Sequence, residues 1–306
     1  MPQRPLFMGT SEFAATVLRA LASSQHRPSL VVTPPDRRRG RGRRLASPPA
    51  ADAARELGLE LLQAENVNDA AALERIRAAR PNAGAVCAFG QLIREPLLSE
   101  YELLNVHPSL LPRWRGAAPI ERALMAGDAE TGITIMRVTE GLDSGPIALQ
   151  ARIPVQADDD YGSISERLAE RGGALLVRTF ELRESGGLSF AEQDEAAATY
   201  AEKITPDDRR LDPARPAAEL ERAVRALAPH VGAFLDLGGD ARLGVHEAAA
   251  EEGRLEAGAF EARDGSLYLG TSAGLLWLRV VQPPGGRPMP ADAYLRGHGP
   301  PKRARG

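Results

Sequence analysis

Over its first two thirds the chain alternates short apolar runs with amphipathic stretches. Leu6–Gly9, Leu30–Val32, Ala83–Ala88 and Leu103–Val106 are nearly continuous apolar runs bounded by turn residues. They read as strands buried on both faces. Ser11–Ser23 places Phe13, Val17, Leu18 and Leu21 at helical spacing, with Ser11 as the expected N-cap. Ala50–Leu57, Ala70–Ala79, Ile120–Ala126 and Ile164–Arg183 also read as helices, and Ile133–Val138 and Ile147–Val155 as strands. The alternation predicts an α/β fold: a Rossmann-like, mostly parallel sheet with helices on both faces. Ligands of such sheets bind beyond the carboxyl ends of the strands. The first turn, Gly9-Thr10-Ser11-Glu12-Phe13, has no Gly-x-Gly-x-x-Gly pattern, so nicotinamide or flavin binding is not expected.

The pattern changes near Pro206. Pro206, Pro213 and Pro216 bracket a charged stretch that reads as a linker, and Ala217–Ala226 as a helix. Short apolar runs then follow at close spacing: Ala233–Leu237, Leu243–His246, Leu267–Gly270 and Leu275–Val281. They argue for a small β domain. The expected division is a first domain over 1–192, a linker over 193–212 and a second domain over 213–306. Gly297–Gly306, with Lys302, Arg303 and Arg305 among Pro and Gly, reads as a mobile tail.

A length of 306 residues suits two domains, and 43% hydrophobic residues suffice for buried cores. No apolar run reaches the length of a membrane span, and the start of the chain lacks the apolar core of a signal peptide. The one cysteine, Cys87, sits in an apolar run; a disulfide within the chain is excluded, and a reducing cytoplasm fits. Net charge is −3, so the whole protein is not a basic nucleic-acid binder. Only Lys203 and Lys302 are lysines; arginine carries nearly all the positive charge.

One segment changes this picture. Asn105 and His107 stand two apart at the end of an apolar run. In a strand, such residues point to the same side. Asp143, in Gly141-Leu142-Asp143-Ser144-Gly145, offers a carboxylate on a glycine-flanked loop. An amide donor, an imidazole and a carboxylate can together stabilise an oxyanion and move a proton. Asn-x-His alone is a weak signal. The five histidines, His26, His107, His230, His246 and His298, show no metal-ligand spacing, and no metal is expected.

With its flanks the segment becomes specific. Asn105 to Pro119 reads Asn-Val-His-Pro-Ser-Leu-Leu-Pro-Arg-Trp-Arg-Gly-Ala-Ala-Pro. Together with Phe7-Met8-Gly9-Thr10, Gly40-Arg41-Gly42, the Asp143 loop, Thr199-Tyr200-Ala201-Glu202-Lys203 and Tyr294-Leu295-Arg296-Gly297, it resembles the 10-formyltetrahydrofolate-dependent formyltransferases over nearly the full length. The widest match is to members that act on methionyl-tRNA. The resemblance implies transfer of formyl from 10-formyltetrahydrofolate, as co-substrate, to the amino group of methionyl initiator tRNA. It implies Asn105, His107 and Asp143 as catalytic residues. It also implies a folate pocket lined by Phe89, Gly90, Leu92, Ser109, Leu110, Leu111 and Pro112, and a second domain that is a small OB-like β-barrel. A monomer with no membrane partner is expected.

Asp36 to Leu45 holds six arginines, Arg37, Arg38, Arg39, Arg41, Arg43 and Arg44, with two glycines. A charge run is commonly a solvated loop. The resemblance implies that this one grips the tRNA acceptor end, disordered when free and ordering on RNA with salt-dependent affinity. The second domain is not basic: residues 201–306 hold 15 Lys and Arg against 15 Asp and Glu. Its RNA role rests on the resemblance. Alternative readings are the same chemistry on a small amine, such as a nucleotide sugar or glycinamide ribonucleotide, or a noncatalytic RNA-binding protein. A formyltetrahydrofolate hydrolase fits less well, because no regulatory domain precedes the first strand.

Overall fold

A computed structural model describes residues 3–39, 44–239 and 241–306. The chain divides into two compact units. The first comprises residues 1–116, 130–153 and 165–200; the second comprises residues 117–129, 154–164 and 201–306.

The first unit is built on a seven-stranded sheet. Strands β1 (Leu6–Gly9), β2 (Leu30–Thr33), β5 (Leu61–Gln63), β6 (Gly84–Cys87) and β7 (Leu103–His107) run parallel in the order β7-β6-β1-β2-β5. Next to β7 lies β9 (Glu130–Arg137), which is antiparallel to it, followed by β10 (Ile147–Pro154) at the edge. The predicted mostly parallel sheet is therefore present, with its turn of direction at β9. All four residues of β1, β2 and β6 are buried, as continuous apolar runs require.

Both faces are covered. On one face Leu6, Met8, Leu30, Val32, Val86 and Leu103 pack with Leu73 and Ile76 of α3 (Ala70–Ala78) and Leu97 of α4 (Leu97–Glu100). On the other lie α1 (Glu12–Ala22), α2 (Pro49–Glu56) and the long α6 (Tyr161–Ser185). Ser11 caps α1 as expected: its side chain accepts from the Ala14 N–H. Helix α6 approaches closely because it carries two glycines. A Cβ at Gly172 would sit 2.9 Å from Val106 of β7, and one at Gly173 2.6 Å from Ala20 of α1. Gly172 thus brings α6 against the strand that carries Asn105 and His107.

Over its described residues, the arginine segment is a short antiparallel ribbon rather than an irregular loop. Strands β3 (Arg37–Arg39) and β4 (Arg44–Ala46) pair Arg37 with Ala46 and Arg38 with Leu45. Asp36 anchors its base by accepting from Ser47 Oγ and Gln63 Nε2, each at 2.8 Å. Those two hydrogen bonds hold the Asp36 carboxyl below its usual range. Pairing satisfies backbone groups that a free loop would leave to water, a local solution that the charge run hid.

The second unit holds α5 (Pro119–Ala126), α7 (Ala217–Leu227) and α8 (Ala291–His298) beside an antiparallel sheet. That sheet runs β12 (Ala233–Gly238), β13 (Ala241–Glu251), β16 (Leu275–Gln282), β15 (Ser266–Gly270), β14 (Phe260–Arg263), with β17 (Met289–Pro290) paired to β16. Register shifts in β12 and β13 bend it into a curled half-barrel. Its concave side encloses Leu235, Leu243, Leu267, Leu269, Leu276 and Leu278 against Leu220, Val224 and Leu227 of α7. Arg122 of α5 forks onto Asp208 at 2.7 and 3.0 Å, which with Thr205 holds that carboxyl down to about 2. Strands β8 (Arg115–Gly116) and β11 (Tyr200–Ala201) have two residues each, and Glu195–Ala197 forms a single 3-10 turn. Among the described residues no helix is long and apolar enough to cross a membrane.

The expected mobile tail is instead tied down. Arg305 N donates to Asp236 O of β12, and Ala304 N to Gly258 O just before β14, both at 2.8 Å, with Ala304 buried. The last residues thus touch both edges of the sheet, masking groups that would otherwise stand unpaired. Deleting residues 303–306 should lower the melting temperature by several degrees, since about 1–3 kcal/mol attaches to newly exposed backbone and a lost apolar contact. A thermal scan with unchanged melting would show that the tail adds nothing.

Candidate active site

Strands β6 and β7 run side by side, Val86 paired with Asn105, so their carboxyl ends open on one rim of the sheet. Asn105 and His107 lie there on one face of β7, as the two-residue spacing predicts. The loop after β9 brings Asp143 to them. Asn105 Nδ2 donates to Asp143 Oδ1 at 3.3 Å, and His107 Nδ1 faces Asp143 Oδ2 at 3.6 Å. The three residues singled out from sequence are therefore brought together, 38 and 36 positions apart along the chain.

His107 is 4% exposed. Its Nε2 stands 2.9 Å from Trp114 O, a group that can only accept, so the Nε2 hydrogen points there. That leaves Nδ1 as the nitrogen facing the carboxylate. Trp114 is held at a positive φ of 65°, its N–H donating to Thr199 Oγ1 at 2.9 Å. The backbone of the motif thus fixes the ring before any substrate arrives.

Asp143 also has a positive φ, 47°, rare for a residue with a side chain. Its Oδ2 accepts from the Gly116 N–H at 2.8 Å. Gly145 is required two residues on, because a Cβ there would overlap the Arg137 carbonyl oxygen. Gly145 is thus a steric requirement of a tight return toward β9, whereas a Cβ at Gly141 would crowd only the Ser144 hydroxyl, which can turn away.

The residues expected to line the donor pocket divide. Phe89 is buried, and its carbonyl accepts from Thr10 Oγ1 at 2.7 Å, pinning the turn after β6. Gly90 has φ 76° with open space where a Cβ would be, and Leu92 is 63% exposed. Leu142, beside Asp143, is 64% exposed. Ser109 and Leu111 are buried and occupied in bracing: Ser109 Oγ donates to Arg113 O at 2.6 Å, and Thr134 Oγ1 donates to Ser109 O at 2.7 Å. Gln150 Nε2 donates to Leu111 O at 2.8 Å. Leu110 and Pro112 are half-buried. Among the described residues no group of three or more His, Cys, Asp or Glu is placed to hold a metal ion.

Of the arginines, Arg37 pairs with Glu65 at 3.0 Å, both exposed, and the Arg38 side chain is exposed. Arg39 and Arg44 lie on the ribbon strands. Arg41 and Arg43 lie outside the described residues.

Residues 4–180 match the family described as formyl transferase, and residues 203–299 match its C-terminal domain. The chain belongs to the formyl transferase family. It is 44% identical over 302 residues to the methionyl-tRNA formyltransferase of Halorhodospira halophila (strain DSM 244 / SL1), covering 97% of each chain. It is 44% identical over 301 residues to that of Rubrobacter xylanophilus (strain DSM 9941 / JCM 11954 / NBRC 16129 / PRD-1), covering 96% of this chain and 97% of the relative. Among solved structures, HypX from Aquifex aeolicus in complex with tetrahydrofolic acid superposes with a TM-score of 0.65 at 19% identity. That match covers 96% of this chain, which spans only about half of HypX, 47%. Methionyl-tRNA formyltransferase from Clostridium thermocellum gives 0.57 at 13% identity, over 81% of this chain and 94% of that one. At such identities the likeness to the solved structures is one of fold.

Sequence reasoning passed over the residues behind the site of this formyl transferase. Arg115 is 2% exposed and Gln193 9% exposed, and both serve the Asp143 loop. Arg115 lay inside the specific motif without a role, and Gln193 fell at the start of the expected linker. Only the deep burial of a polar side chain marks them, and no local pattern announces it.

Proposed function

We propose that this chain transfers a formyl group from 10-formyltetrahydrofolate to the free amino group of methionyl initiator tRNA, giving the N-formylmethionyl-tRNA used to start translation in the cytoplasm. The meeting of Asn105, His107 and Asp143 at the rim of β7 carries the catalytic part of this reading. Relatives 44% identical over nearly the full length support the acceptor. Residues 1–192 serve as the catalytic domain, 193–212 as the connection and 213–306 as the domain that meets RNA, the protein acting as a monomer.

The methionyl amine attacks the formyl carbon, whose oxygen becomes an oxyanion in a tetrahedral intermediate. Asn105 has one N–H committed to Asp143 and a second for that oxygen. His107, its Nε2 hydrogen held by Trp114 O, offers the Nδ1 beside Asp143 to take up the amine proton and pass it on. The proton ends on the folate nitrogen as the C–N bond to folate breaks, so no group is left on the protein. The donor's flat heterocycle fits the turn after β6, where Gly90 leaves space and Leu92 presents apolar surface; Phe89 shapes that turn, and Ser109, Leu110, Leu111 and Pro112 form its floor. Of the arginine run, Arg37, Arg38, Arg39, Arg41, Arg43 and Arg44 meet RNA phosphates. The Arg37–Glu65 pair is an exposed one, weak enough to give way.

The test is formylation by the purified protein with 10-formyltetrahydrofolate, offering methionyl initiator tRNA, a nucleotide amino sugar or glycinamide ribonucleotide. Efficient transfer to tRNA alone is expected. Arg37→Ala with Arg38→Ala should raise KM for tRNA and flatten its log–log salt dependence by about 2, one per phosphate contact. Transfer only to small amines sinks the RNA assignment, and no transfer to any amine sinks the catalytic one.

A further inference from the structure

The carboxylate of Asp143 is held from in front by Gly116 and Asn105, and its backbone is held from behind by a separate, buried device. Gln193 Nε2 donates to two carbonyls of the loop, Asp143 O at 2.8 Å and Gly145 O at 2.7 Å. Gln193 Oε1 accepts from Arg115 Nε at 3.0 Å and from Arg115 Nη2 at 2.9 Å. An amide can donate twice and accept twice, so Gln193 is saturated. The pattern also fixes which end of the amide is oxygen, since two guanidinium N–H groups face one end and two carbonyls the other. Arg115 is anchored in turn by Glu195, Nη1 to Oε2 at 2.9 Å and Nη2 to Oε1 at 2.7 Å.

The device meets a need. A non-glycine residue at positive φ is strained and persists only where its surroundings over-determine it. Asp143 has φ 47°, and Gln193 grips the carbonyl of that residue and the one two positions on. The same short strand serves both sides: the Arg115 side chain acts on the loop backbone through Gln193, while the adjacent Gly116 N–H holds the carboxylate itself at 2.8 Å. A shift of Gln193 therefore changes the 3.6 Å approach of Asp143 to His107 without touching either side chain.

We propose that Gln193, clamped by Arg115, is a positioning residue that sets the approach of Asp143 to His107 in formyl transfer. The proposal rests on the catalytic reading of Asp143 given above. The discriminating variant is Gln193→Glu. It keeps an oxygen toward Arg115 but turns a second, acceptor-only oxygen on the Asp143 and Gly145 carbonyls, so the grip becomes repulsion. Displacements near 1 Å at a reacting group can cost ~100-fold, and a loss of that order is expected in kcat. KM for tRNA and for the folate donor should stay within about threefold, because the Gln193 side chain is buried, with its hydrogen bonds made to Arg115 and to the backbone of the Asp143 loop.

A merely structural role is separated from positioning by a double-mutant cycle with Asp143→Asn. If Gln193 acts through Asp143, then Gln193→Glu costs ~100-fold in wild type and nearly nothing in the Asp143→Asn background, read by single-turnover transfer on protein shown folded by circular dichroism. Equal losses in both backgrounds overturn the proposal, as does a wild-type kcat in Gln193→Glu. Should Gln193→Glu fold poorly, Gln193→Met keeps the volume, removes all four hydrogen bonds and enters the same cycle with the same two deciding outcomes. A Gln193 variant near wild type beside an inactive Asp143→Asn would remove this inference alone; an Asp143→Asn as active as wild type would remove the catalytic reading beneath it.

Discussion

Alanine at His107 should lower single-turnover formyl transfer by ~10²–10⁴-fold, the range over which positioned acid–base groups act. Asn105→Ala should cost ~10²–10³-fold, as loss of one oxyanion donor does. Both residues stand at the end of β7, whose buried Leu103, Leu104 and Val106 are untouched by the changes. The fold should therefore survive, and circular dichroism should be that of the wild type. Substrate binding should change little, so the loss belongs in kcat. The three residues act as one unit, with Asn105 Nδ2 and His107 Nδ1 both turned to one carboxylate. Combining His107→Ala with Asp143→Ala should then cost little more than either alone, since removing a second member of a broken unit removes nothing. Folded single variants within tenfold of wild type would exclude this site as the centre of the reaction.

Much of this arrangement is legible in the sequence. Strands β1, β2 and β6 are buried throughout and almost wholly apolar because helices cover both of their faces, and such runs survive as a signal without any alternation. The Ser11 cap is visible because its chemistry is local. The pairing of Asn105 with His107 follows from the period of a strand, and Asp143 stands out as a carboxylate on a glycine-flanked loop, a weak signal that the resemblance makes specific. Other parts have no local signature. Strand β5 is three half-buried residues at the sheet edge, too short to show a period. The second half of β13 contains Ala248-Ala249-Ala250, which lack the branched side chains that mark strands; pairing with Trp277, Leu276 and Leu278 of β16 makes them one. The C-terminal residues look like a polar tail because what orders them, the open edges of β12 and the residue before β14, lies far away in sequence. Arg115 and Gln193 belong to the same class. Their 78-residue separation in sequence closes only in the folded unit.

Gly145→Ala should cost both stability and rate. The Cβ would overlap Arg137 O and stand 3.0 Å from the Arg137 carbonyl carbon. A flexible side chain could swing aside, but a carbonyl in a sheet cannot. Arg137 is paired with Leu104 across β9 and β7, and its N–H donates to Pro146 O at 2.9 Å. Relief must come from the loop, which carries Asp143 two residues upstream and loses the Gln193 bond to Gly145 O as it moves. Overpacking of this kind costs ~1–3 kcal/mol of stability, a fall of several degrees in melting temperature. The larger effect is on rate, by ~100-fold or more, because the displaced residue is the partner of His107. Gly187→Ala is the matched control: its Cβ meets nothing closer than 3.6 Å, so stability and rate should both hold. Wild-type turnover by Gly145→Ala would show that the loop can yield while Asp143 stays in register, and the tightness of the turn would then be a matter of folding rather than of catalysis.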